Sequence, residues 1–414
     1  MKYLLLVMFL FGCARSPLKP DQSPLRLIPS PNKLVLNEDL DFEGFIVALE
    51  KNIAHLESKP AQFTMDFGTR KVVAKDYVAA LRGLLAHAKT VDSARDLQGY
   101  LLQNFDVMEV YGTDDWGQVF ITSYFEPVLP GRRKKTGRFT QPLYTSPNDM
   151  TLVDLGEFAE LLPQLKPIKD KVLEQKSRGA IVRGRLVERA GAMPKVVPYF
   201  DREQIDEKKL MARNSAKVIA YVDPIDAFFL QIQGSGVVEF RNGRRLRVGY
   251  DSQNGHPYVP IGKYLFDVIP REKMSLQTIE AHLRSLSSKE AQDILNKNPS
   301  YVFFRKLDSR GITYFGTEVE SGRTIATDYR HFPKGALAIL DFEAPIFEHP
   351  SDHEPRDWYP VSRLVFDQDT GGAIRGPGRV DLFWGEGPEA KQAAGVMKQS
   401  GRLVYLVPKG LQQP

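Results

Sequence analysis

The 414-residue chain has one cysteine, Cys13, and seven histidines, with no His-x-x-x-His or Cys/His grouping among them. That leaves no thiol nucleophile beyond the N-terminus and none of the common zinc signatures, so neither metal nor cofactor is expected. A Gly-x-Ser-x-Gly elbow is also missing. Ser235 stands between Gly234 and Gly236, but the run 227–233 before it reads as a strand and more strand follows, which suits a binding turn better than a nucleophile elbow. The formal net charge is only +5, and no Lys/Arg stripe interleaved with aromatics runs along the chain, so nucleic acid is not an expected partner. The densest basic run, Arg132-Arg133-Lys134-Lys135, lies between two glycines and reads as a solvated loop able to attract an anionic polymer. There is no internal repeat, and no regular strand–helix alternation of the kind a doubly wound sheet requires.

Long hydrophobic runs are equally scarce. The N-terminal MKYLLLVMFLFGC holds an apolar stretch of about ten residues, where about twenty are needed to span a bilayer; it suits the apolar region of a secretory signal. Leu10-Phe11-Gly12-Cys13 resembles a bacterial lipobox, with Phe11 in place of the usual small residue. The expectation is a signal peptide over 1–13, a lipid on Cys13 and a Pro/Ser/Lys-rich flexible tether over 14–38. Ala14 carries no Asp-type inner-membrane retention signal, which implies the periplasmic face of the outer membrane of a diderm bacterium. A plain signal peptide with an incidental cysteine is the alternative.

The composition is that of a β-rich globular chain, with 42% hydrophobic residues, 32 Gly and 28 Pro scattered among short Val/Ile/Tyr/Phe runs. Helical spacing recurs at Phe42, Phe45, Ile46, Leu49, Ile53 and Leu56, and again from Tyr77 through Leu81 to Leu101. From Val107 the texture becomes alternation and turns, with strands expected over 118–124, 179–187 and 217–222. A helix is expected over 275–296, with Ser287 and Glu290 at capping-box spacing, and another over 388–399 closed by Gly401.

Acids concentrate in the strand-like C-terminal third. Asp341 follows Leu340, Asp369 precedes Gly371 and Gly372, and Asp381 sits among Val380, Leu382 and Phe383 with Gly385 and Gly387 beyond. A strand Asp can simply face solvent. Burial among apolar neighbours instead raises a carboxyl pKa toward the range a general acid needs, and the glycines allow a ligand to approach the backbone closely.

At these residues the sequence resembles the membrane-bound lytic murein transglycosylase A family, whose catalytic part carries a domain named for three aspartates. The matching pieces are Ala338-Ile339-Leu340-Asp341, Gln368-Asp369-Thr370-Gly371-Gly372-Ala373-Ile374-Arg375-Gly376 and Val380-Asp381-Leu382-Phe383-Trp384-Gly385-Glu386-Gly387. Upstream pieces are Thr122-Ser123-Tyr124-Phe125-Glu126-Pro127, Gln231-Ile232-Gln233-Gly234-Ser235-Gly236 and Asn254-Gly255-His256-Pro257-Tyr258. Ser123 stands where Gly is expected and Arg375 where Lys is common. The resemblance implies a mainly β fold: a double-psi β-barrel catalytic domain with an inserted second β domain, plus N-terminal helices. The expected division is 39–146 for the helices and first barrel part, 147–307 for the insert and 308–410 for the second barrel part.

The resemblance also implies a reaction. Asp381 would act first as acid, then as base, in cleaving the β-1,4 bond between N-acetylmuramic acid and N-acetylglucosamine of peptidoglycan, leaving a 1,6-anhydromuramoyl end. Asp369 and Asp341 would support the barrel and tune the site. Tyr124, Gln233, Ser235, Gly236, Tyr258, Gly371, Gly372, Trp384 and Gly385 are the candidate contacts to the glycan, and Glu126 reads as a turn or salt-bridge residue. The expected partners are peptidoglycan glycan strands and the outer membrane, with the protein a monomer. A hydrolase on the same barrel and a non-catalytic wall-binding protein are the competing readings.

Overall fold

A computed structural model describes residues 22–29, 36–112, 115–159, 161–167, 181–212, 215–371 and 374–410; Cys13, Gly372 and the start of the 179–187 run lie outside the described residues. Six strands form the centre: β1 (Val119–Glu126), β2 (Thr324–Ala326), β3 (Ala336–Ile346), β4 (Asp357–Asp369), β5 (Arg379–Glu386) and β6 (Lys398–Pro408). They pair in the order β6-β3-β4-β2-β5-β1, and β1 pairs back onto β6, so the sheet closes. β1 runs parallel to β5 and β2 parallel to β4, while every other neighbouring pair is antiparallel. This is the double-psi barrel.

Period-two alternation fills its interior. Val380 and Leu382 of β5, Ile121 of β1, Ile325 of β2, Val365 of β4 and Leu403 of β6 share the inner face and are fully buried, and each large apolar side chain contributes about 1.5–3 kcal/mol of burial free energy. One buried polar cluster lies among them. Lys334 donates to Asp367 Oδ1 at 2.6 Å, to Thr327 Oγ1 at 2.8 Å and to the carbonyl of Asp369 at 2.8 Å, while Tyr405 and Thr327 hydroxyls both donate to Asp367 Oδ2 at 2.6 Å.

The N-terminal helices α1 (Phe42–Glu57), α2 (Ala74–Ala88) and α3 (Leu97–Asn104) cover one side of the barrel. Asp41 caps α1 by accepting from the N–H groups of Glu43 and Gly44. Phe45 stacks on Phe366, and the Tyr77 hydroxyl donates to the carbonyl of Leu406 and accepts from the N–H of Leu337. The helical pattern from Tyr77 to Leu101 is split in two because Thr90, Asp92 and Ser93, poor helix-interior residues, intervene. The expected tether is partly structured. Leu25–Leu27 pairs with Phe105–Val110, which itself extends the sheet from β6, and Glu38 forms a buried ion pair with Arg323 at 2.7 Å.

The chain leaves the barrel after Glu126, earlier than the boundary expected at 147, because Val128–Gly131 already pairs with Ser235–Phe240 in a four-stranded sheet with Arg245–Gln253 and Val302–Leu307. It re-enters the barrel at β2. Between lie the paired strands Gln141–Tyr144 and Val218–Val222 and a three-stranded sheet of Met150–Asp154, Ile181–Arg189 and Ala192–Pro198.

Three expected elements differ. The run 227–233 is helical, within α4 (Pro224–Gln233): Asp223 caps it, Pro224 opens it and Gly234 closes it at φ +81°. A short unbroken apolar run does not distinguish a buried strand from a buried helix, and the caps decide. The single helix expected over 275–296 is two, α5 (Leu276–Ser285) and α6 (Ser288–Leu295), because Ser287 must turn out of helical geometry to form its capping box with Glu290. The last helix, α7 (Gly387–Val396), ends at Met397, and Gly401 belongs to β6, where a Cβ would meet the carbonyl of Asp341 at 2.4 Å.

Lys334→Ala strands the buried Asp367 carboxylate, and a loss of about 3–5 kcal/mol is expected, read as a lowered midpoint in denaturant unfolding.

Candidate active site

The parallel pairing of β1 and β5 places Thr122 opposite Asp381 and Tyr124 opposite Phe383. Since Val380, Leu382 and Ile121 point inward, alternation turns Asp381, Thr122 and Tyr124 to the outer face. The row continues sideways: Ala326 of β2 lies opposite Asp381 on one side and Asp369 of β4 on the other. Two carboxylates thus flank one alanine on a barrel wall.

Their surroundings give them different chemistry. Asp369 is enclosed by donors: Oδ1 accepts the N–H groups of Tyr314 at 3.0 Å and Thr370 at 2.9 Å, and Oδ2 accepts the Tyr124 hydroxyl at 2.9 Å. Burial raises its pKa and these donors oppose the rise. Among the described residues Asp381 has one protein donor, the Thr122 hydroxyl, at 2.7 Å from Oδ1. Burial lifts its pKa to about 6; Thr122 and the Arg379 cation pull it down, and the Asp369 charge adds to the rise. Asp381 still keeps part of its surface open.

Thr122 has a single hydroxyl proton. Arg379 Nη2 donates to Thr122 Oγ1 at 3.2 Å, which leaves that proton for Asp381 Oδ1. A neutral Asp381 therefore carries its own proton on Oδ2, the oxygen free to act.

The walls come from both sides of the chain. Gln233, at the C-terminal end of α4, accepts the N–H of Phe125 through Oε1 at 3.0 Å, so the insert touches β1 directly. Exposed aromatic rings border the acids: Phe120, two residues before Thr122 on the same face, is 37% exposed, and Tyr314, whose N–H holds Asp369, is 38% exposed and stacks on Tyr329. Beyond Gly371, the buried Asp328 accepts the N–H of Gly376 at 2.8 Å and pins the loop before β5. Burial works against its charge, yet Arg330 and the N–H groups of Gly376 and Arg330 hold its pKa down to about 2.

Comparison with known proteins places this barrel and insert. A family model described as the MltA specific insert domain matches residues 120–305, and one described as the 3D domain matches 323–407. The chain belongs to the membrane-bound lytic murein transglycosylase A family. The Escherichia coli K12 protein of that name is 28% identical over 306 residues, covering 73% of this chain and 69% of that protein. Among solved structures, MltA from Neisseria gonorrhoeae is 26% identical with a TM-score of 0.63, covering 90% of this chain and 88% of that one. E. coli MltA with bound chitohexaose shares the fold at 22% identity and a TM-score of 0.67, covering 93% and 95%.

Of the residues singled out from the family's motifs, the fold brings together Asp381, Asp369, Tyr124 and Gln233. Ser235 stands nearby, its Oγ 3.1 Å from where a Cβ on Gly311 would be. Gly236 has a packing reason instead: a Cβ there would meet Leu230 at 2.6 Å and the carbonyl of Pro127 at 2.8 Å. Gly371 is partly buried, its carbonyl accepting from Arg375 at 3.0 Å. Gly385, at φ +138°, serves the turn from β5 into α7 against Ser321.

Three others lie elsewhere. Trp384 is three residues from Asp381 and so on the opposite face, packed against Phe342 and under Arg363 at 4.8 Å. Tyr258 is in the insert near the buried Arg202. Asp341 sits on β3, three strands around the barrel from β5, in a cleft of about 590 Å³ shared with Trp116, Ser362 and Arg402. Burial raises its pKa, but it is not among the groups acting on Asp381. Glu126 is buried in an ion pair with Arg247 at 3.0 Å and accepts the N–H of Gly311, the salt-bridge role expected. Thr122, Arg379 and Phe120 were not singled out, since only strand register reveals that they lie on the face of the acid; Asp328 was not singled out either, since only the fold brings it to the N–H of Gly376.

An acid whose pKa is raised on folding stabilises least when ionised. Asp381→Asn is expected to be more stable than the parent by roughly 1–3 kcal/mol at pH 8, with the difference vanishing below about pH 4, as read by denaturant unfolding at both pH values.

Proposed function

We propose that this chain is a peptidoglycan lytic transglycosylase, with Asp381 as its one acid and base. The observation that carries this reading is the asymmetry of the two carboxylates. Asp369 has both oxygens occupied by donors and is not free to activate water, whereas Asp381 is desolvated, partly open and holds its proton on the unengaged oxygen. A hydrolase ordinarily needs two working carboxyl groups. One suffices when the nucleophile is part of the substrate.

Neutral Asp381 donates its Oδ2 proton to the glycosidic oxygen between N-acetylmuramic acid and N-acetylglucosamine as that bond breaks and an oxocarbenium-like state forms. The carboxylate then takes the proton of the muramoyl C6 hydroxyl, whose oxygen attacks C1 of the same ring. The products are a shortened glycan and a 1,6-anhydromuramoyl end, with Asp381 reprotonated. Proximity favours the internal hydroxyl over water. Burial, with a smaller push from the Asp369 charge, lifts the pKa of the acid to about 6, which keeps a working fraction protonated near neutrality, and Thr122 with Arg379 orients it. Phe120 and Tyr314 offer apolar faces to sugar rings, and Gln233, Ser235 and Gly371 offer polar partners for N-acetyl and hydroxyl groups. The chitohexaose bound to E. coli MltA, which shares this fold, supports a saccharide ligand. The reaction needs no metal or cofactor.

In this reading the insert and the barrel are the two working units of a monomer, and Cys13 is a lipid attachment holding it at the periplasmic face of the outer membrane. The lipobox-like run and the relatives' name, membrane-bound, support the anchor.

Two experiments test these readings. Mass spectrometry of muropeptides released from purified peptidoglycan should find ends lighter by one water than hydrolysed ones. Their rate of formation should fall as pH rises through about 6, where Asp381 loses its proton, and Asp381→Asn should release no product while still sedimenting with the polymer. Hydrated ends would establish a hydrolase instead. Metabolic labelling with a radioactive fatty acid should mark the parent and not Cys13→Ala; equal labelling would place the lipid elsewhere.

A further inference from the structure

Two turns far apart in sequence meet at one end of the four-stranded sheet. Val128–Gly131 runs parallel to Ser235–Phe240, with Glu239 opposite Pro130 and Phe240 opposite Gly131. Both strands therefore finish at the same edge. One leads into Arg132-Arg133-Lys134-Lys135 and on to Arg138, the other into Arg241-Asn242-Gly243-Arg244, with Gly243 at φ +78° making the turn.

Arg133, Lys134, Lys135, Arg138, Arg241 and Arg244 are all exposed, and among the described residues none of the six forms an ion pair. The acid at this end, Glu239, lies opposite Arg245. Holding six like charges together costs free energy unless a counter-charge is at hand, so such a surface fits an anionic partner. Its flexible side chains surround no pocket, which suits several spaced anions better than one discrete ligand.

The position of the patch narrows the partner further. Arg245 and Arg247 continue the cationic band along the next strand and both bond Glu386, Arg247 at 2.6 Å. Glu386 lies five residues after Asp381 on β5, about 16 Å along a strand. The band thus starts on the strand that carries the acid, within reach of a polymer long enough to lie at Asp381.

We infer that this basic end of the insert is a docking surface for the carboxylate-bearing peptide stems of the same peptidoglycan whose glycan lies at Asp381, an inference that rests on the proposed function. Stems project from the glycan at regular intervals and carry free carboxylates, the spaced weak anions that the surface fits.

The test compares the full chain, purified in detergent, with a variant carrying R133Q, K134Q, K135Q, R138Q, R241Q and R244Q, and with a charge-keeping control carrying R133K, R138K, R241K and R244K. Sedimentation with intact sacculi is measured beside sedimentation with sacculi stripped of peptides by an amidase, at about 50 and 300 mM salt. The parent and the control should bind intact sacculi about tenfold more tightly than stripped glycan at low salt. That advantage should vanish at high salt and in the six-Gln variant, which should still turn over stripped glycan at the parent rate. Unchanged binding of intact sacculi by the variant overturns the docking surface, as does an equal loss on both polymers. Sedimentation with phosphatidylglycerol vesicles is measured alongside, and a loss confined to them overturns the docking surface in favour of a membrane contact. Sedimentation needs no turnover, so a parent that releases no anhydro product sinks the reaction, and binding indifferent to the six charges sinks the docking.

Discussion

The register of β1 against β5 is the constraint on which the rest depends. It sets Thr122 beside Asp381 although 259 residues separate them, and it points both out of the barrel because their neighbours Ile121, Val380 and Leu382 are fully buried. A slip of one residue would bury the acid among apolar side chains and expose those side chains instead. The apolar interior therefore holds the register, and with it the hydrogen bond that orients the acid. Closure of the sheet through β6 removes the free edge at which such a slip could begin.

The same wall shows how two equal side chains acquire unequal chemistry. Asp369 ends β4 where the chain turns, so backbone N–H groups are at hand to surround it, and the Tyr124 hydroxyl completes the set. Asp381 lies within a strand whose backbone groups are committed to pairing, so a side-chain hydroxyl is the donor that reaches it. Fewer donors with similar desolvation leave a weaker acid. Lys334 couples this arrangement to the core, since it neutralises the buried Asp367 and holds the carbonyl of Asp369 in the same grip.

The insert is attached to the barrel at more than the two chain crossings. Arg247 bridges Glu126 of β1 and Glu386 of β5, and Gln277 of α5 donates to the carbonyls of Lys391 and Gln392 in α7. Buried and half-buried ion pairs of this kind add little net stability but penalise wrong arrangements, because a displaced partner leaves a desolvated charge behind. They set where the insert stands over the outer face of the barrel, and hence where Gln233 and Ser235 stand relative to Asp381.

Much of this was legible in the sequence wherever local chemistry decides. The capping box at Ser287 and Glu290, the strand that ends before Pro127, the acids among glycines and apolar residues, and the motifs around Asp369 and Asp381 are all short-range signals. Where two long-range arrangements share one local pattern, the sequence was silent: the apolar run 227–233 serves a buried helix as well as a strand, and Gly401 serves a close approach to Asp341 as well as a helix cap. Trp384 and Asp341 belong to the same motifs as Asp381, yet alternation along β5 and the circuit of the barrel carry them away from it. Thr122 opens one of the matching pieces, but nothing local marks its hydroxyl as the partner of Asp381, and Phe120 and Arg379 carry no motif-like signal of their own. The sequence by itself determined the residue types, the turns and the short motifs that carry the carboxylates, because these depend on neighbours a few positions away. Which face each strand shows, which acid keeps its donors, and which distant hydroxyl meets Asp381 were decided only when the barrel closed, because register and desolvation are properties of packing among strands hundreds of residues apart.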